Sequence, residues 1–415
     1  MGAPFDKVLI ANRGEIALRI IRACRELGCR TVAIYSSADA SALHVRFADE
    51  SVCIGPPQAL QSYLHQPAVL AAVQITGADA VHPGYGFLAE NAQFAGAVRS
   101  MGRSFVGPSV EHLKMFGDKL SAKEAARSAG LPLLSGSTGA VESPGEAAAA
   151  AAAAGFPVIL KAAAGGGGKG MRVVEDPEQL ARVFGVAQAE SEAAFGSRDV
   201  FIERYLRRPR HVEVQVAGDG QGGGIHLGTR DCSMQRRHQK IIEEAPAPNL
   251  SDDLRGRIEE AAAALVRAVG YQTVATVEFL VEGEEFFFLE VNPRIQVEHP
   301  VTEEITGIDL IQLQLRLAAG ERLPLAQADV VQRGHALEVR VNAEDPSSFL
   351  PSPGLVTGYH EPGGPGVRVD SAIHEHAMVQ PYYDSLAAKL IVRADDRDRA
   401  ITRMIGAIDE FIVEG

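Results

Sequence analysis

Residues 286–298 read Phe286-Phe-Phe-Leu-Glu290-Val-Asn292-Pro-Arg294-Ile-Gln296-Val-Glu298, and with Val274-Ala-Thr-Val-Glu278-Phe-Leu-Val281 just upstream they decide the fold. Both runs are rich in β-branched and aromatic residues and are separated by Glu282-Gly283-Glu284-Glu285, which predicts a β-hairpin. With the loop at residues 283–285, Glu278 lies directly across from Glu290. Facing like charges cost about 0.2–1 kcal/mol, and flanking Leu280 and Phe288 keep water scarce. A divalent cation removes the conflict. Glu278, Glu290 and Asn292, the next residue on the same period-2 face, offer hard oxygen ligands suited to Mg²⁺ or Mn²⁺ carried by a nucleotide phosphate. Pro293 and Pro300 bracket an extended segment that places Arg294, Gln296 and Glu298 on one face, an anion binder beside a potential base. Taken alone, the stretch is equally an exposed charged edge beside an amphipathic hairpin.

The chain of 415 residues, 46% hydrophobic and 22% charged, predicts two or three globular domains. A net charge of −13 argues against nucleic acid as the main partner, so an anionic substrate must meet local positive charge. Cys24, Cys29, Cys53 and Cys232 form no C-x-x-C pair and fit reduced thiols in a cytoplasmic protein better than a disulfide framework or a zinc site. The N-terminus enters a strand pattern with no signal-peptide core, and the alanine run at residues 147–154 is too short to span a bilayer.

Residues 7–11 predict a strand, Asn12-Arg13-Gly14 a turn, residues 15–27 an amphipathic helix stopped by Gly28, and residues 30–36 a second strand. The turn lacks G-x-G-x-x-G, which removes the case for NAD and leaves a structural α/β layer. A strand at residues 78–81 leads into His82-Pro-Gly-Tyr85-Gly86, a loop that can present Tyr85 to a ligand. The first unit ends near Gly107-Pro108, and helical residues 110–129 carry Lys119. Ser143-Pro-Gly-Glu146 predicts a capping box opening an alanine helix that stops at Gly155. Next come a strand at residues 157–164, the loop Gly165-Gly166-Gly167-Gly168-Lys169-Gly170, a returning strand at residues 171–174, a helix at residues 180–195 and a strand at residues 200–205. The glycine loop is not a Walker A motif, because Gly170 stands where Ser or Thr is needed and a strand follows. Four glycines still let backbone N–H groups close over phosphate oxygens, and Lys161 and Lys119 add charge. Beyond the alternating strand at residues 210–216, the donor-rich run from Arg230 to Lys240 reads as a loop that contacts a polyanion and ribose hydroxyls.

These motifs converge. Ala11-Asn-Arg-Gly-Glu15-Ile-Ala, His82-Pro-Gly-Tyr-Gly-Phe-Leu-Ala-Glu-Asn91 and residues 165–171, 230–248 and 290–298 resemble biotin carboxylase, an ATP-grasp ligase family, in order and nearly end to end. The resemblance implies a mixed α/β and α+β chain: a Rossmann-like N-terminal domain (1–107), linker helices (108–134), a mobile glycine-rich lid (135–205) and a larger C-terminal domain (206–415). It implies that ATP with Mg²⁺ or Mn²⁺ phosphorylates bicarbonate to carboxyphosphate, which then carboxylates biotin on a carrier. By resemblance, Lys119, Lys161 and Gly165, Gly166, Gly167 and Gly168 bind phosphates. Glu203, Leu206, His211, Gln235, His238 and Leu280 surround the nucleoside, and Glu278, Glu290 and Asn292 hold metal. Lys240, Arg294, Gln296 and Val297 cradle bicarbonate, Glu298 takes its proton, Arg340 stabilises the biotin enolate, and Tyr85, Tyr383 and Asp384 line the biotin pocket.

Thr229 stands where the family commonly has Glu, and residues 375–380 depart from a usual glycine- and proline-rich segment, yet no assigned group is lost. No Ala-Met-Lys-Met biotin-attachment motif occurs, which places the biotinylated carrier on another chain or beyond this one. A carboxyltransferase and a second copy of the chain are the other expected partners, with no nucleic acid and no membrane. The C-terminus resembles a family helix and turn that lead into further helical sequence, so a truncated C-terminal domain is expected. The competing readings are another ATP-grasp carboxylate ligase and a non-catalytic nucleotide-binding regulatory subunit.

Overall fold

The computed structural model describes residues 2–137, 139–162 and 171–415, arranged around three principal sheets. In the first, β1 (Lys7–Ile10), β2 (Arg30–Ser36), β3 (Glu50–Gly55), β4 (Ala80–His82) and β5 (Ser104–Phe105) pair in parallel in the order β3-β2-β1-β4-β5. Val8, Leu9 and Ile10 are all fully buried, which is why β1 is a continuous apolar run rather than an alternating one. Helix Gly14–Glu26 covers one face with Ile16, Ala17, Ile20 and Ile21. The strand order reverses between β1 and β4, and their carboxyl ends release Asn12–Gly14 and Pro83–Tyr85 into the same crevice, the usual ligand position in an open α/β sheet.

The second sheet is small and antiparallel, in the order β7-β6-β8, from β6 (Val158–Ala162), β7 (Met171–Val174) and β8 (Val200–Arg204). Helices Pro144–Ala154 and Pro177–Phe195 pack on it through Ala147, Ala151, Leu180 and Phe184. Ser143 caps the first of these by accepting from the Glu146 N–H at 3.2 Å, but the Glu146 carboxylate accepts from the Glu142 N–H at 3.0 Å. The predicted capping box is therefore half formed, its return bond shifted by one residue.

The third sheet carries the chemistry. Its strands are β9 (Arg210–Asp219), β10 (Gly224–Arg236), β11 (Gln239–Ala245), β12 (Gln272–Glu282), β13 (Glu285–Asn292) and β14 (His335–Asn342). After the short β15 (Gly354–Leu355) and β16 (Gly358–His360), β17 (Val367–Ser371) joins it; after β18 (Met378–Val379), β19 (Leu386–Ala394) does, and β20 (Ile412–Glu414) pairs with β16. The eight-stranded order is β13-β12-β9-β10-β11-β14-β19-β17, every pair antiparallel. Its rear face shares a core with the first unit, where helices Gly14–Glu26 and Leu310–Ala318 meet Ile225, Leu227 and Val274. Among the described residues, no helix is long and apolar enough to cross a membrane.

Three expectations change at this level. The 274–291 hairpin forms and Glu278 does face Glu290, but the loop is only Gly283-Glu284, and a bulge at Leu289 restores the pairing that a longer loop would give. The Arg230–Lys240 run is no loop: it is the end of β10, a turn at Arg237 and His238 with φ of 51° and 66°, and the start of β11. Register shifts around Met234 break the period-2 pattern and hide the strand in the sequence. Pro300 bounds no extended segment; it sits in the first turn of helix His299–Thr306, where its missing N–H costs nothing.

Candidate active site

Strand register builds the site as a row. Glu290, Glu278, Glu213 and Arg230 stand directly opposite one another on β13, β12, β9 and β10. Arg230 is fully buried. Its Nε donates to Glu213 Oε1 at 2.6 Å, and its terminal nitrogens donate to Gln215, Thr302 and Thr276 at 2.7, 2.9 and 3.0 Å. Three carboxylates against one guanidinium leave negative charge at the Glu278–Glu290 end. There Asn292 donates to Glu278 Oε1 at 2.9 Å, and His211 Nε2 lies 2.9 Å from Glu278 Oε2. Burial acts to raise the Glu278 pKa, but Lys240 and His211 together hold it below the usual carboxylate range. Desolvation in the cleft, followed by the Glu278 charge, raises Glu290 above its ordinary value. The opposed carboxylates of Glu278 and Glu290 are hard oxygen ligands of the kind a divalent cation takes, while Asn292 turns its NH₂ to Glu278 and its oxygen to Arg294.

Lys240 joins this row to the segment after the hairpin. Its Nζ donates to Glu213 Oε2 at 2.6 Å, Glu298 Oε1 at 2.7 Å, Glu278 Oε1 at 2.9 Å and Gln296 Oε1 at 3.3 Å. Glu298 is fully buried, and its second oxygen accepts from Arg340 Nη2 at 3.0 Å. Burial favours the neutral acid, yet Lys240, Arg340 and Arg230 hold the Glu298 pKa well below the usual range. Arg340 also donates through Nε to Glu243 at 2.7 Å.

Glu243 carries no signal in the sequence. It is fully buried and faces Glu338 across β11 and β14. Burial raises its pKa to about 7, Glu298 adding to the shift and Arg340 opposing it. Between its ordinary value of 4.5 and about 7 the folded chain keeps a proton that the unfolded chain has lost, so this group's contribution to stability falls as pH rises through that window and levels off above it. Glu243→Gln removes that contribution. Denaturation midpoints at pH 5 and pH 8 are expected to differ less in the variant than in the parent, and an equal difference refutes the assignment.

One cleft of about 1310 Å³ gathers most of the residues predicted from sequence. Its walls include Lys161, Leu206, His211, Gln235, His238 and Leu280; Lys240, Glu278, Glu290, Asn292, Arg294, Gln296, Val297, Glu298 and Arg340; and Tyr85, Tyr383 and Asp384. Lys119 and Glu203 line a neighbouring cavity of about 880 Å³, to which Lys161 also contributes. Both Lys123 and Lys161 pair with Glu203, and these two lysines bring its pKa to about 2 against the opposing effect of burial. Lys123 gives no sequence signal. Arg294 reaches Glu90 Oε1 at 2.5 Å and Asn292 Oδ1 at 3.0 Å. The Tyr85 hydroxyl donates to buried Glu15, and the Tyr383 hydroxyl meets Ser36 Oγ at 2.6 Å while its ring lies 4.2 Å from the Arg13 guanidinium carbon. The expected phosphate-binding residues Gly165, Gly166, Gly167 and Gly168 lie outside the described residues.

Residues 4–113 match the model for the biotin carboxylase N-terminal domain, residues 118–326 that for the carbamoyl-phosphate synthase L chain ATP-binding domain, and residues 338–415 that for the biotin carboxylase C-terminal domain. The biotin carboxylase of Pseudomonas aeruginosa is 55% identical over 99% of the chain and 92% of its own length. The chain belongs to the biotin carboxylase family. The fold agrees with that placement. A Campylobacter jejuni biotin carboxylase solved as a β,γ-ATP complex superposes with a TM-score of 0.93 at 47% identity, covering 99% of this chain and 92% of that one. The biotin carboxylase domain dimer of Hydrogenobacter thermophilus 2-oxoglutarate carboxylase, solved with MgADP, ADP and bicarbonate, gives 0.91 at 45% identity over 99% and 91%. The architecture is accordingly that of an ATP-grasp biotin carboxylase, with a Rossmann-like parallel sheet at its N-terminus.

Proposed function

We propose that the chain catalyses the ATP- and bicarbonate-dependent carboxylation of biotin borne on a carrier protein, the first half-reaction of a biotin-dependent carboxylase. The observation that carries this reading is the fully buried Glu298, held ionised between Lys240 and Arg340 on the wall of the cleft. Bicarbonate is a weak nucleophile until it loses its proton, and a positioned carboxylate beside two cations is suited to taking it. Arg294, Gln296 and Val297 surround the bicarbonate. Phosphoryl transfer needs charge neutralisation and alignment more than covalent help, and Lys119 and Lys161 supply the positive charge. Glu203, Leu206, His211, Gln235, His238 and Leu280 receive the nucleoside. Glu278, Glu290 and Asn292 would hold Mg²⁺ or Mn²⁺; a bound dication neutralises the phosphate oxygens. Arg340, at the far side of Glu298, stabilises negative charge developing on the biotin ureido oxygen, with Tyr85, Tyr383 and Asp384 around the ring.

The three sheets support a division into an N-terminal domain (1–107), linker helices (108–134), a glycine-rich lid (135–205) and a larger domain (206–415). Bridges Gly136–Glu203 and Val141–Val200 tie the start of the third segment to its last strand. The Hydrogenobacter dimer supports a homodimer, and the biotin would come on a carrier that lies on another chain or beyond this one, with a carboxyltransferase as the further partner. All four cysteines are free, in keeping with a cytoplasmic setting. ATP hydrolysis measured with and without bicarbonate, then with added free biotin, tests the function: hydrolysis that requires bicarbonate and rises with biotin is the expected result. Hydrolysis indifferent to both points to another ATP-grasp ligase.

A further inference from the structure

Lys389, a lysine with no exposed surface, sits in β19 directly opposite Arg340 on one side and Asp370 on the other. Its Nζ donates to the Val297 carbonyl at 2.8 Å and lies 3.2 Å from Glu15 Oε1 and 3.8 Å from Asp370 Oδ2. Glu15 in turn accepts from the Tyr85 hydroxyl, and its other oxygen has no partner. Burying an ammonium group is costly, and methionine fills the same space without that cost. What the ammonium adds is a tie between three elements: the Val297–Glu298 turn, the first helix of the N-terminal unit, and the loop bearing Tyr85.

We propose that Lys389 is a positioning residue for the bicarbonate half of the reaction. It fixes the peptide carbonyl immediately before Glu298 and uses Glu15 to hold that turn in step with Tyr85. This rests on the reading of the cleft as a bicarbonate and biotin site. The other ties of the turn are local or through side chains: His299 Nδ1 lies 2.8 Å from the Gln296 carbonyl, and Lys240 and Arg340 hold the Glu298 carboxylate, whereas Lys389 holds the Val297 carbonyl and links it to the N-terminal unit through Glu15. With the tie removed, the Val297 carbonyl loses its ammonium partner, and the turn that carries Glu298 loses its link to Glu15 and the Tyr85 loop. The residues expected at the nucleotide, Leu206, Leu280, Lys119 and Lys161, are not among the partners of Lys389. Its loss therefore separates the two substrates.

Steady-state kinetics of Lys389→Met in the full chain test this, varying bicarbonate and ATP independently. The expected result is a KM for bicarbonate raised at least about ten-fold, a loss that the affinity relation equates with about 1.4 kcal/mol, with the KM for ATP unchanged. Equal changes in both constants, or a lower melting temperature with both unchanged, overturn the proposal. Should Lys389→Met fail to fold, Glu15→Gln decides, since it keeps an acceptor for Tyr85 but leaves Lys389 attracted toward Asp370. A selective rise in the bicarbonate KM supports the positioning role, and unaltered kinetics overturn it. A parent protein without bicarbonate-dependent hydrolysis would instead refute the underlying function, so the two failures are distinguishable.

Discussion

Glu298→Gln is expected to lower bicarbonate-dependent turnover by about 10²–10⁴-fold, the range a general base contributes, while calorimetric affinity for the magnesium nucleotide stays at the parent value. The amide keeps the length and shape of the side chain, and its oxygen can still accept from Lys240, which lies 2.7 Å from Glu298 Oε1. It cannot take a proton, and its NH₂ group meets the Arg340 guanidinium where Oε2 now accepts at 3.0 Å. Glu298→Asp keeps a base but withdraws it from both cations, so its activity is expected to fall between the two. Near-normal turnover in Glu298→Gln would remove Glu298 as the base.

Arg230→Met is expected to cost about 3–5 kcal/mol of stability, as breaking one side of a buried ion pair does. Arg230 and Glu213 both have fully buried side chains, and the guanidinium satisfies Gln215, Thr302 and Thr276 as well. Methionine fills the volume but leaves those acceptors facing each other with nothing between them. Glu213 keeps Lys240, which donates to it at 2.6 Å, and His211 at 3.8 Å, and the added pull on Lys240 competes with its bond to Glu298. Urea denaturation measures the effect, and a change below about 1 kcal/mol would show that the row tolerates an unpaired carboxylate far better than burial allows.

Residues that work in short contiguous motifs are readable from the sequence. The hairpin from Val274 to Asn292 declares itself through composition, and the repulsion between Glu278 and Glu290 points to a cation from strand pairing alone. Glu213, Glu243, Glu338 and Lys389 do not declare themselves. Glu213, Glu338 and Lys389 each stand between two apolar residues of a strand, as Glu213 does between Val212 and Val214, and Glu243 follows Ile241-Ile242 and precedes Glu244. In a central strand buried on both faces, alternation carries no information about direction, so such a residue looks like an ordinary outward-facing one. A warning sign is nonetheless present: a carboxylate midway along a valine-rich strand has no solvent to face unless the strand lies at an edge. The Arg230–Lys240 run misleads for another reason, because its bulges replace the regular period with local geometry that depends on β9 and β14.

The row across the large sheet has a genetic consequence. Five strand-to-strand steps separate β13 from β14, about 24 Å at about 4.8 Å per step, and the functional side chains carried on those strands are aimed by hydrogen-bond register. Inserting or deleting one residue within β9 or β12 would turn its side chains to the opposite face, sending Glu213 or Glu278 into the apolar rear layer and Val214 or Phe279 into the cleft. Point substitutions along these strands can be graded, whereas length changes cannot. Natural variation in this chain's relatives should accordingly accumulate as exchanges within the strands and as gaps in the connections between them.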